Sequence, residues 1–194
     1  MYEMLIKYIR DHSTTSLTGR DIESIKNVFV PKKIRKRQYF LQAGEVCKFF
    51  AFIVKGAMRQ YTVDDKGAEH IIRLLIENWW AVDRESYTNL TPSSYYIDAW
   101  EETDTLLVTK ADYVEHLSSI SAMKEMSTRL DENHAFAFQK RVNAIISLSA
   151  EERYADLEKT YPEFLQRFPQ HIIASYLGVS RETLSRARNH VLRK

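Results

Sequence analysis

A chain of 194 residues that is 44% hydrophobic can bury a proper core as one domain or as two small ones. A net charge of only +2 excludes capture of a polyanion by the global field, so affinity for nucleic acid has to come from a local basic patch. The single cysteine, Cys47, excludes an intrachain disulfide and a cluster held by four thiolates. Residues 1–10, broken by Glu3, Lys7 and Arg10, lack the apolar run of a signal peptide, and no stretch reaches the roughly 20 apolar residues of a membrane span. A cytoplasmic protein without a membrane partner is expected.

In chain order, Met4, Leu5, Tyr8 and Ile9 recur at helical period and predict a helix from Tyr2 to His12. Thr18 with Asp21 three residues on predicts the capped start of a second helix, which runs to Phe29 and stops before Pro31. From Ile34 to Val108 the texture changes to short runs rich in β-branched and aromatic residues. Strands are expected at Ile34–Phe40, Phe49–Lys55, Ala57–Val63, Glu69–Ile76, Tyr95–Ala99 and Asp104–Thr109, with a hairpin turn at Asp64 to Gly67. Several short strands at close spacing imply a small sandwich or barrel.

A short helix over Ala111–Leu117 and a long one from Ser121 to about Leu148 follow. In the long helix Met123, Leu130, Ala137 and Ala144 recur every seven residues, broadened by Met126, Phe138, Val142 and Ile145. Such a stripe either covers the strands or meets a partner helix. Ser149 and Glu152 form a capping box for the next helix, Glu151–Lys159.

The segment from Pro169 to Leu192 reads as a helix-turn-helix. Pro169 suits a first helical position, Gly178 suits the exit from a helix, and Ser180 suits the N-cap of a second helix, its hydroxyl accepting from Thr183. Ile173, Ala174, Leu177, Gly178, Val179, Leu184 and Ala187 fall where two crossed helices touch. On the second helix Ser180, Leu184, Ala187 and Val191 share one face, while Arg181, Glu182, Ser185, Arg186 and Asn189 share the other. Arginine can pair with guanine through two hydrogen bonds and glutamate can accept from cytosine, and Ser180, Thr183 and the helix start near Gln170 suit phosphate oxygens. Arg181, Arg186, Arg188, Arg193 and Lys194 supply the local basic patch.

The run from Gly178 to Arg186 resembles the recognition-helix segment of the Crp/Fnr transcription regulators, whose Arg-Glu-x-x-x-Arg set matches Arg181, Glu182 and Arg186. The resemblance implies an α+β fold. Its parts would be a sensor domain over 1–120, built as a double-stranded β-helix (the cupin-like, cyclic-nucleotide-binding-like β-roll), a dimerisation helix over 121–148, and a winged-helix-like helix-turn-helix domain over 149–194. It further implies a homodimer reading a two-fold DNA site, RNA polymerase as a partner, an effector of unknown identity, and no enzymatic activity. Because the chain runs to Lys194 without the strands of a wing, fewer phosphate contacts and a shallower salt dependence are expected.

In the cyclic-nucleotide binders of that family a Gly-Glu-Leu turn and a later Arg-Ser-Ala hold the phosphate. Here the glycine position is Asp83, the arginine position is Ser93 or Ser94, and the following alanine is Tyr95. An aspartate facing an anion and the loss of its paired cation predict that cyclic AMP does not bind in the family's manner. The residues left to hold a ligand are Arg84, Glu85, Ser86, Ser93 and Ser94, and Tyr95, Tyr96 and Trp100 are placed to fill the pocket. The histidines show no zinc spacing, the five glycines form no phosphate loop, and no cofactor or metal is expected. A β-roll signalling module whose helical tail binds protein rather than DNA is the alternative reading.

Overall fold

The computed structural model describes residues 1–191, the Val191 side chain excepted. It is α+β and divides into two compact units, residues 1–60 with 75–132, and residues 61–74 with the chain from 133 onward.

In the first unit α1 (Tyr2–Asp11) turns Leu5, Ile6 and Ile9 inward. The helix α2 (Gly19–Val28) starts at the predicted capping box, Thr18 Oγ1 accepting from the Asp21 N–H while the Asp21 carboxylate accepts from the Thr18 N–H at 2.8 Å. The described strands β1 (Val30–Ile34), β2 (Tyr39–Leu41), β3 (Phe49–Lys55), β4 (Met58–Val63), β5 (Glu69–Leu75), β6 (Trp80–Ala81), β7 (Tyr96–Ala99) and β8 (Thr103–Thr109) form two four-stranded sheets, ordered β1-β8-β3-β6 and β2-β7-β4-β5. Their common core holds Phe29, Phe52, Ile53, Trp80, Ile97 and Leu106, with Trp80 stacked on Phe50 at 4.8 Å between ring centres.

The expected first strand, Ile34–Phe40, is instead two strands joined by a tight turn. Arg35 N–H donates to the Gln38 side chain, Gln38 N–H returns to Arg35 O, and Arg37 takes a left-handed φ of 67°. Pro31 sits inside β1, where its missing N–H is tolerated because β1 is an edge strand. In the turn from β3 to β4, Gly56 has a φ of +104°, and a Cβ there would stand 2.5 Å from Glu102 O. Across β4 and β7 the buried side chains Arg59 and Asp98 join through two parallel 2.9 Å hydrogen bonds, the guanidinium lying 5.4 Å from the Trp100 ring centre.

The expected short helix is α4 (Lys110–Asp112) continuing as a π-helical turn, Tyr113–Leu117. It leads into α5 (Ser121–Ser147), whose stripe divides. Ala122, Met123, Met126 and Leu130 are buried in the first unit's core, whereas Phe136, Phe138, Val142, Ile145 and Ile146 are exposed. The first half of the stripe therefore packs into the core of the first unit, and the second half stands exposed.

In the second unit α6 (Ala150–Thr160) opens with the Ser149–Glu152 capping box, followed by α7 (Pro162–Arg167), α8 (Gln170–Leu177) and α9 (Arg181–Val191). Tyr154, Leu157, Phe164, Phe168, Ile172, Ile173, Ala174, Leu177, Leu184 and Ala187 make its apolar centre.

Candidate nucleic-acid interface

The turn between α8 and α9 forms as its residues require. Gly178 is left-handed at φ 68°, its N–H bonded to Ser175 O and the Val179 N–H to Ala174 O, the pair of bonds that closes a helix on such a residue. Arg153 of α6 donates to the last carbonyl of α8, Leu177 O, at 2.7 Å. Pro169 stands one position earlier than expected, at the N-cap of α8 rather than inside it, because its ψ of 161° is extended. Ser180 accepts from the Thr183 N–H at 3.1 Å and so caps α9.

On α9, Leu184 and Ala187 are buried, whereas Arg181, Glu182, Arg186 and Asn189 are exposed on the opposite side. Ser185 and Thr183 are half-buried at the edges of that side, and Gln170 is exposed at the start of α8. The Thr183 hydroxyl already accepts from Ser180 at 3.1 Å and from Arg186 at 3.3 Å. Backbone N–H of Glu182 and the Ser180 hydroxyl, with Arg181 and Arg186 nearby, hold the Glu182 carboxyl below its usual range, so it is an ionised acceptor at neutral pH. Arg188 is half-buried, while Leu192, Arg193 and Lys194 of the expected basic patch lie outside the described residues, as does the Val191 side chain.

The expected ligand residues gather around α3 (Arg84–Asn89), a helix that sequence reasoning did not place. The buried Asp83 caps it, accepting from the Glu85 and Ser86 N–H groups, which occupies those donors with the chain's own carboxylate. Ser86 is spent inside the fold, donating to Thr91 O at 2.6 Å and accepting from the Cys47 N–H at 2.8 Å. Ser93 is buried and caps its own turn, accepting from the Tyr95 N–H at 2.9 Å. Glu85 and Ser94 are exposed, and Tyr95, Tyr96 and Trp100 are half-buried rather than packed into a core. Arg84 lies over the Phe50 ring at 5.6 Å and forms an ion pair with Asp131 of α5.

Searched with its sequence, the chain is 24% identical over 184 residues to the anaerobic regulatory protein of Pasteurella multocida, covering 88% of this chain and 66% of that protein's length. No family model matches. Among solved structures, FixK2 from Bradyrhizobium japonicum superposes with a TM-score of 0.70 at 16% identity, over 86% of this chain and 85% of that one. A Crp/Fnr-family regulator from Eubacterium rectale superposes at 0.67 and 16% identity, over 90% and 83%. This is the fold of the Crp/Fnr regulators.

Within the Crp/Fnr fold, several polar residues that sequence reasoning passed over do conspicuous work. Arg59 and Asp98 are consecutive to nothing in sequence and meet only because β4 and β7 are neighbours. Asp131, one residue after the buried Leu130, could be guessed only as an acid on a core-facing helix. Arg141 and Ser175 bind main-chain groups, which no side-chain pattern advertises.

Proposed function

We propose that this protein is a transcription regulator that binds DNA as a homodimer, reading each half of a two-fold site with Arg181, Glu182, Ser185, Arg186 and Asn189. The observation that carries the reading is the division of α9. One side is buried in the helical unit, and the other presents two guanidinium groups, a carboxylate and an amide that nothing in the unit covers. Those are the groups that discriminate base edges in a major groove, at roughly 1–3 kcal/mol for each well-formed pair. Gln170, Ser180 and Thr183 flank the reading side and suit phosphate contacts.

The exposed stripe of Phe138, Val142, Ile145 and Ile146 on α5 supports assembly of two copies through this helix. Dimeric binding in turn accounts for a two-fold site. The arrangement around α3 favours independence from cyclic AMP. A phosphate would meet the Asp83 carboxylate on the N–H groups of α3, and the nearby cation, Arg84, is already paired with Asp131. Any other effector works through different affinities for two arrangements of the chain. RNA polymerase is the expected downstream partner, and the cytoplasm the expected location. Among the described residues no helix is long and apolar enough to cross a membrane.

The test is selection of random duplex DNA on the purified protein, repeated with Arg186→Ala. A two-fold motif that loses its preference at one base pair per half-site in the variant supports the reading. Unaltered function after Arg181→Ala, with no DNA enriched, favours a tail that binds protein. Micromolar binding of cyclic AMP in titration calorimetry refutes the cassette argument.

A further inference from the structure

In the helical unit, α8 is fastened along its outer side to the hairpin formed by β4 and β5. The Ser175 hydroxyl donates to Glu69 O at 3.0 Å and accepts from the Ile71 N–H at 2.9 Å, inserting one side chain into the edge of β5. Arg141 of α5 completes the junction. Its guanidinium donates to Ile71 O at 3.1 Å, to Ile72 O, and to Tyr176 O at 2.9 Å, and it lies 4.3 Å from the centre of the Tyr176 ring. One planar fork therefore touches three elements: α5, which bears it, β5 and α8.

A structural filler would be satisfied with apolar contact. Arginine provides five donors in a fixed plane, so three carbonyls on two elements hold its orientation and are held by it. Burial lowers its pKa, with the Tyr176 hydroxyl acting against that. What it holds matters more than its own stability. The reading helix α9 packs on both α6 and α8, with Leu184 and Ala187 buried, so α8 is one of the two helices that set the direction of α9. Arg141 also lies one turn along α5 from Phe138 and Ile145, members of the exposed stripe.

We infer that Arg141 and Ser175 are positioning residues for DNA reading, fixing the angle between the α5 stripe and the reading helix and thereby the distance between the two half-sites that a dimer accepts. This rests on the reading of α9 as a DNA reader and of α5 as the dimer helix. The two residues do not contact DNA. They set where the contacting residues point, and half-site spacing is the property of DNA that reports that direction, since major grooves on one side recur about every 10 base pairs.

The experiment is a spacing series. Duplexes carrying the selected half-sites at the preferred separation, and at separations one or two base pairs shorter and longer, are titrated with the full-length protein, Arg141→Ala, Arg141→Lys, Ser175→Ala and Arg186→Ala. Wild-type protein favours one spacing. Arg141→Ala is expected to reduce that preference by about tenfold, the weak end of what one charge-assisted hydrogen bond provides, and Ser175→Ala, which loses only neutral hydrogen bonds, by about threefold, while the bases preferred within a half-site stay the same. Arg141→Lys, which keeps the charge and loses the fork, should behave like the alanine variant. Arg186→Ala should alter the base preference and leave the spacing preference intact.

Hydrogen exchange supplies a second readout, with the Ile71 amide losing protection in Ser175→Ala. A uniform fall in affinity at every spacing means that the residues only stabilise the fold, which overturns the positioning role while leaving the DNA reading in place. Absence of any enriched site with the wild-type chain overturns both.

Discussion

Two glycines with left-handed backbones give a quantitative test of this structure, because they share strain and differ in space. At Gly178, φ +68°, the nearest atom to an added Cβ is Arg153 Nη1 at 3.7 Å, an ordinary contact. Gly178→Ala therefore meets only the conformational penalty, about 1–2 kcal/mol. At Gly56, φ +104°, the added Cβ would stand 2.5 Å from Glu102 O, 2.6 Å from Thr103 Oγ1 and 2.7 Å from Thr103 Cα. Two of those atoms belong to the main chain entering β8, and the Gly56 N–H is bound to the Glu77 carboxylate at 2.7 Å, so neither side can yield without breaking strand pairing. The expected penalty is about 4 kcal/mol or more, a large part of the 5–15 kcal/mol typical of a folded domain. Urea unfolding followed by tryptophan fluorescence and by far-ultraviolet circular dichroism separates the cases, since Trp79, Trp80 and Trp100 all lie in the first unit. With an m-value of roughly 2 kcal/mol/M, Gly178→Ala should lower the helical midpoint by about 0.5–1 M, and Gly56→Ala should lower the fluorescence midpoint by about 2 M or yield insoluble protein. A Gly56→Ala protein within about 1 kcal/mol of wild type would refute the close approach of the β3–β4 turn to the start of β8.

Asp98→Ala should lower stability by about 3–5 kcal/mol because it removes the carboxylate facing a buried guanidinium, whereas Arg59→Met combined with Asp98→Leu should recover most of the loss; urea titration of both decides it. The Glu125 carboxylate accepts from the N–H and hydroxyl groups of Thr14 and Thr15, and these bonds pull its pKa from 4.5 down to about 2. Since the folded value lies below the unfolded one, the tether is fully present above pH 4.5 and is lost as pH falls through about 2. Protection of the Thr14 and Thr15 amides, taken relative to the intrinsic exchange rate at each pH, should fall across that window, and Glu125→Gln should abolish the transition. Replacing Phe138 and Ile146 together by glutamate should leave the circular dichroism spectrum unchanged and convert dimer to monomer in sedimentation, with loss of two-fold DNA binding.

Local chemistry was the legible part. The capping boxes at Thr18–Asp21 and Ser149–Glu152, and the turn at Gly178, act within a few residues, so their spacing alone specifies them. The turn at Arg35–Gln38 was hidden because its residues carry no glycine or proline, and a non-glycine left-handed residue such as Arg37 leaves no mark in composition. The helix α3 had a signal, an aspartate whose carboxylate caps two N–H groups, but it lies where the family resemblance directed attention to a phosphate. The exposed side of α9 was legible because amphipathic period separates Leu184 and Ala187 from Arg181, Arg186 and Asn189. The fastening of α8 to β5 was not: Arg141 and Ser175 bind carbonyl and amide groups of Ile71 about 70 and 104 residues away.

The interleaving of the two units bears on how the chain is made. Residues 61–74 belong by their contacts with the helical unit, yet they are synthesised in the middle of the roll. As the chain leaves the ribosome, the roll's own strands find partners as soon as Thr109 has emerged, while the Ile71 and Ile72 carbonyls wait for Arg141, and the Ile71 N–H for Ser175. For that interval the hairpin shows an edge with unsatisfied main-chain groups, the kind of surface that recruits stray strands. Quick completion of the helices that follow shortens the time for which that edge is open.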